Sequence, residues 1–138
     1  MSSTLPPVWG VDLHVLPQAA LGHALHVVEL LRSANLMARL RRGRHAPRLG
    51  WRLVDLQGHA LPPSTGPLAA LLDEGGFEGP AQALFVSSQH SADVPSLRQK
   101  VARHAGLARR VGVALDQGQR VLTLGNGAWW AAASGRLA

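Results

Sequence analysis

The sequence contains no cysteine and no tyrosine, only two phenylalanines, and a single lysine, Lys100. Zero cysteine removes disulfide staples, thiolate nucleophiles and Cys-ligated zinc in one step, and it fits a cytoplasmic protein. No apolar run approaches the roughly 18 residues expected of a membrane span, so no membrane partner is expected. Residues 1–7 carry no basic stretch leading into an apolar one, so a secretory signal is not visible either. Whatever chemistry the chain performs has to do without sulfur.

What remains is 138 residues, 46% of them apolar, enough for one domain with a core of its own. The formal charge is +6, and apart from Lys100 its cations are all arginine, a bias that fits GC-rich coding as well as selection for charge. The densest cluster is Arg39, Arg41, Arg42, Arg44 and Arg48, interrupted by Gly43 and Pro47. A nucleic-acid patch is one reading. The cluster falls where a helix ends and a turn begins, however, and solvated cations complementing a carbonyl-rich helix C-terminus explain it more simply.

Along the chain, Val8, Val11, Leu13, Val15 and Leu16 make a compact run stopped by Pro17, which predicts a first strand buried on both faces. Leu21, Leu25, Val28, Leu31 and Ala34 then recur at spacings of three and four, predicting an amphipathic helix from 18 to about 40. Residues 48–56 read as a second strand, 58–66 as an irregular or hairpin-like excursion, and 68–73 as a short helix. Ala83, Leu84, Phe85 and Val86 give a third buried strand within 82–87. Residues 95–117 are helical in character, with a break near Gly106, and 120–124 form a fourth strand. A tight turn at Gly125, Asn126 and Gly127 opens a last helix over 128–134. Strands alternating with helices predict an α/β fold: a parallel sheet with helices on both faces, flavodoxin-like and three-layered.

In such a sheet the ligand crevice lies beyond the carboxyl ends of the strands, where strand order reverses. Three segments qualify: Leu16-Pro17, Ser87 to His90, and Gly125-Asn126-Gly127. The third is the most informative, since a strand entering a helix through two glycines forces a sharp turn with its amides aimed above the sheet. It has the form of a nucleophile elbow without a nucleophile.

The stretch from Leu122 to Leu137 resembles the elbow of class I glutamine amidotransferase-like domains, in the PfpI-like form found at the N-terminus of AraC-type transcriptional regulators. Val11 to Leu31 is similar to that family's opening strand and helix, Ser64-Thr65-Gly66 to its serine-glycine segment, and Leu84 to Gln89 falls where it has a strand ending in a glycine pair. Order and spacing over nearly the whole chain carry the resemblance. It implies at least one more strand and helix after the elbow helix, so that the fold is incomplete at Ala138, and a separate C-terminal helix-turn-helix domain as the only DNA contact.

Aligned this way, Gly125 stands where the family's enzymes hold their cysteine, and Ser88 and Gln89 replace the glycine pair. Neither Gly125 nor the amide of Asn126 is a competent nucleophile. The resemblance therefore implies a non-catalytic domain that senses an amino-acid- or amine-type effector, or forms a homodimer, with Ser88, Gln89, His90, Gly125, Asn126, Gly127 and Trp129 as the ligand-binding set and no cofactor. Two alternatives remain: an enzyme of the same fold with His90 as base and water as nucleophile, and a stand-alone dimerisation module.

Other residues attract blander readings. His23 and His26 share a helical face, but without a third ligand at a predictable spacing they do not make a metal site. His14, inside a strand, reads as a hydrogen-bonded core residue. Asp12 and Asp55 read as strand-end or turn residues, and adjacent Asp73 and Glu74 point apart rather than forming an acid/base pair. Trp129 and Trp130 project about 100° apart on the elbow helix, so at most one faces a pocket.

Overall fold

The computed structural model describes residues 7–15, 21–55, 57–61 and 67–136. Four strands, β1 (Val8–His14), β2 (Arg48–Val54), β3 (Ala83–Val86) and β4 (Arg120–Thr123), form one all-parallel sheet in the order β2-β1-β3-β4. Five helices accompany it: α1 (Leu21–Arg42), α2 (Pro67–Gly75), α3 (Val94–Arg103), α4 (Ala105–Asp116) and α5 (Ala128–Ala133). This is the expected flavodoxin-like α/β arrangement. Strand order reverses between β1 and β3, one strand away from the elbow that follows β4.

The period of two in the strands sorts the core into two halves. Val11, Leu13, Trp51, Ala83 and Phe85 point to one face, where they pack with Val28 of α1 and with Leu71 and Leu72 of α2. Val86 points to the other and packs with Leu97 of α3, Leu107, Ala108 and Val111 of α4, and Trp130 and Ala131 of α5. Strand β1 is buried from Gly10 onward and β3 throughout, as central strands covered on both sides should be.

Several boundaries move. Strand β1 closes at His14, and both the Pro17 helix start and the Ser64-Thr65-Gly66 segment lie outside the described residues. The long helical stretch is two helices, divided at His104 rather than Gly106. His104 keeps its bond to the Lys100 carbonyl but has a ψ of 41°, which turns the chain out of the α conformation. Helix α3 starts cleanly, because the Asp93 side chain accepts from the Ser96 amide at 2.8 Å and Pro95 sits in the first turn.

The two sheet edges are treated differently. On the outer edge of β2, the Asn35 side chain donates to the Leu49 carbonyl at 2.8 Å and accepts from the Leu49 amide at 2.7 Å, acting as a one-residue strand. Further along, Ala60 bridges Val54 antiparallel and the Leu61 amide donates to the Leu53 carbonyl. That bridge lies in the first part of the irregular or hairpin-like excursion expected over 58–66, of which 62–66 lie outside the described residues. The outer edge of β4 has no such cover among the described residues, and Leu122 and Leu124 are 44% and 38% exposed. Helix α1 also overreaches: its 22 residues run about 33 Å, against about 23 Å for a seven-residue strand. Its far half leaves Leu36, Met37 and Leu40 exposed. Among the described residues no helix is long and apolar enough to cross a membrane.

Candidate functional site

At the carboxyl end of β4 the chain leaves Leu124 in an extended conformation and enters α5 through a 3-10 turn at Gly125–Gly127. Gly125 has a φ of +56°, the left-handed region that elbow residues occupy. A Cβ built there would sit 2.9 Å from the Ser88 Oγ and 3.1 Å from its Cβ. Ser88, on the loop after β3, thus fills the space that a side chain at the elbow would need. Gly127 is required for a different reason: a Cβ there would run into the Val86 carbonyl, so only glycine lets α5 pack against the end of β3.

Asn126 binds the two loops together. Its Oδ1 accepts from the Gln89 amide at 2.7 Å and from the Ser88 hydroxyl at 3.2 Å, and its Nδ2 donates to the Gln89 carbonyl at 2.8 Å. The predicted residues Ser88, Gln89, Gly125, Asn126 and Gly127 are therefore one contiguous cluster, at the end of the sheet that the fold class selects. Asn126 has both ends of its amide engaged within the protein. Gln89 does not: it is 5% exposed and its Nε2 is a buried donor with no acceptor among the described residues.

The remaining predicted residues are placed differently. Trp130 is wholly buried in the α3–α5 core, and Trp129 is half-buried against the same cluster, leaving part of its indole exposed. His90 is exposed, and its carbonyl receives the Lys100 ammonium. His23 and His26 lie on α1, and among the described residues no third His, Asp or Glu joins a pair into a metal-binding group.

A second polar cluster lies deeper, on the α4 side of the sheet. Asp12 is not a strand-end residue: it is in the middle of β1, 2% exposed. Its carboxylate accepts from the Arg52 Nε at 2.6 Å, and the Arg110 guanidinium of α4 approaches to 3.8 Å. Arg52 also stacks on the Phe77 ring, 4.1 Å from its centre. Arg110 donates from Nε to the His14 Nε2 at 3.1 Å, which makes that nitrogen an acceptor, so Nδ1 carries the proton and donates to the Asp55 carbonyl at 3.1 Å. Burial, then the Arg110 charge, lowers the His14 pKa to about 4, and the ring is neutral at physiological pH.

His14 is thus the satisfied core histidine the sequence suggested, whereas the Asp12 pairing went unseen. Its partners are 40 and 98 positions away, and the only signal available was a carboxylate inside an otherwise apolar run. A cavity of about 180 Å³ reaches this cluster, but its charges are already paired. No described protein family, no curated protein and no solved structure matches the chain.

Proposed function

We propose that this chain is a non-catalytic ligand-sensing domain of the amidotransferase-like type, as in AraC-type regulators, with an amino-acid effector bound at the β3 and β4 loops. The observation that carries the proposal is the Gln89 amide. A buried donor without an acceptor costs roughly 1–3 kcal/mol, and a ligand carboxylate in the crevice, with the Gln89 side chain turned out toward it, would remove that cost. This favours an amino acid over a simple amine. The filled elbow supports the non-catalytic half of the proposal, since Ser88 occupies the volume a nucleophile would use. On this reading DNA is contacted through a separate domain, and the protein works in the cytoplasm.

Thermal denaturation with a panel of amino acids, betaines and polyamines is the direct test. At least one amino acid should raise Tm by several degrees, and Gln89→Met should abolish that rise while leaving the unliganded Tm within a few degrees of the parent. No stabilisation by any member of the panel removes the proposal. Turnover of an amide substrate that disappears in His90→Ala would favour the hydrolase alternative instead.

A homodimer is a second reading, favoured by the uncovered edge of β4 and its exposed Leu122. Sedimentation equilibrium should then show a concentration-dependent dimer that Leu122→Glu dissociates. A monomer at all concentrations would exclude it.

A further inference from the structure

At the opposite end of the sheet from the elbow, α1 and the start of β2 enclose a groove of about 560 Å³, within the size range of small-ligand sites. Arg32, Arg39, Arg44 and Arg48 line it, against two carboxylates, Glu29 and Glu74. These arginines are not equivalent. Arg32 is bound to Glu74 at 2.7 Å and lies 3.9 Å from Glu29, so both carboxylates share one cation. Arg48 donates to the Glu74 and Gly76 carbonyls. Arg39 and Arg44 have no ion pair or hydrogen bond with any described residue, although both face the same concavity. Arg41 and Arg42 extend the positive field just outside it.

The sequence alone favours a solvated helix end for this cluster. The structure adds a concave wall: Leu36, Ala46 and Pro47 give the groove an apolar side, and the Asn35 bonds to Leu49 hold α1 against β2 so that the shape is fixed. Two guanidiniums that line one groove with no partner among the described residues are a receptor for an anion. A phosphoryl group fits better than a carboxylate. A terminal phosphoryl group has three acceptor oxygens to bridge two guanidinium forks and carries close to two charges, whereas a carboxylate has two oxygens and one charge.

We propose that this groove is a phosphate-binding site, in which Arg39 and Arg44 hold the phosphoryl oxygens and the Leu36 and Pro47 side accommodates the apolar part of the ligand. The phosphoryl group has two sources: the terminal phosphate of a free nucleoside phosphate, with three free oxygens, or the phosphodiester backbone of a nucleic acid, whose two free oxygens and single charge per phosphate engage the two arginines more weakly at each group. The site is independent of the amino-acid site proposed at the elbow.

The test measures binding of ATP by calorimetry and of a fluorescein-labelled single-stranded oligonucleotide by anisotropy, each at low and physiological salt. At least one probe should bind, and Arg39→Gln with Arg44→Gln should weaken it about tenfold or more. ATP binding alone identifies the free phosphate as the source. Oligonucleotide binding that falls steeply with salt identifies the backbone. Arg98→Gln with Arg103→Gln, on exposed positions of α3, is the control, and far-ultraviolet circular dichroism verifies that both variants are folded. The proposal is overturned if neither probe binds, if the groove variant binds as the parent does, if the α3 variant loses as much, or if polyglutamate binds as tightly as the phosphate probes.

Discussion

At the scale of single residues, the elbow glycine and the buried aspartate set the sharpest constraints. Gly125 combines a left-handed backbone with contact to Ser88, so a side chain there meets two separate costs. Gly125→Cys should destabilise the protein by about 1–3 kcal/mol, the backbone part being roughly 1–2 kcal/mol. Adding Ser88→Gly should recover the steric part and leave the backbone part. A double-mutant cycle in urea measures both, and equal costs in the two backgrounds would show that Ser88 does not fill the elbow. Asp12→Ala leaves Arg52 and Arg110 facing each other without their carboxylate. A loss of about 3 kcal/mol is expected, near the low end for broken buried pairs because Arg52 and Arg110 reach solvent. Asp12→Asn, which keeps the acceptor oxygen, should cost less.

At the scale of elements, the start of the outer edge of β2 depends on one side chain of α1, while Ala60 and Leu61 cover its end. Asn35→Ala removes both bonds to Leu49 and should cost about 1–2 kcal/mol, with the Leu49 amide becoming faster to exchange in deuterium. An unchanged exchange rate would mean that the edge is covered in some other way. This contact was not legible in the sequence. Asn35 is 14 positions from Leu49, and nothing in an amphipathic pattern marks an asparagine as a surrogate strand. What was legible came from local signals: a β-branched run for β1, a short apolar run for β3, spacings of three and four for α1, paired glycines for the turn into α5. The loop cluster of Ser88, Gln89 and Asn126 was reachable because the fold class places the ends of β3 and β4 side by side. The division at His104 was missed by two residues, since Gly106 is the stronger local breaker and helix α4 simply absorbs it.

For the whole molecule, the titration of His14 couples stability to pH. Its pKa falls from 6.5 in the unfolded chain to about 4 in the folded one, so between those values the unfolded state binds more protons. Stability is therefore fully present above pH 6.5 and declines as pH falls toward 4, by up to about 3 kcal/mol at 1.36 kcal/mol per pKa unit. Below that, Asp55, Asp93 and Asp116 act in the same direction: His59 and Gln57 amides, Ser96 and Arg136 respectively hold their carboxyls under the ordinary value. Urea midpoints at pH 7 and pH 5 should differ in the parent and converge in His14→Gln. A flat parent profile over that interval would show that the imidazole is not held neutral. The unequal sheet edges bear on assembly in another way. A sheet open on both sides can add copies without end and grow into a fibre, whereas one blocked along β2 has a single direction of growth. If copies do associate through β4, two joined edge to edge would consume both open edges and leave the β2 edges, capped by Asn35 and bridged at Ala60, to the outside, so that association would stop at a pair.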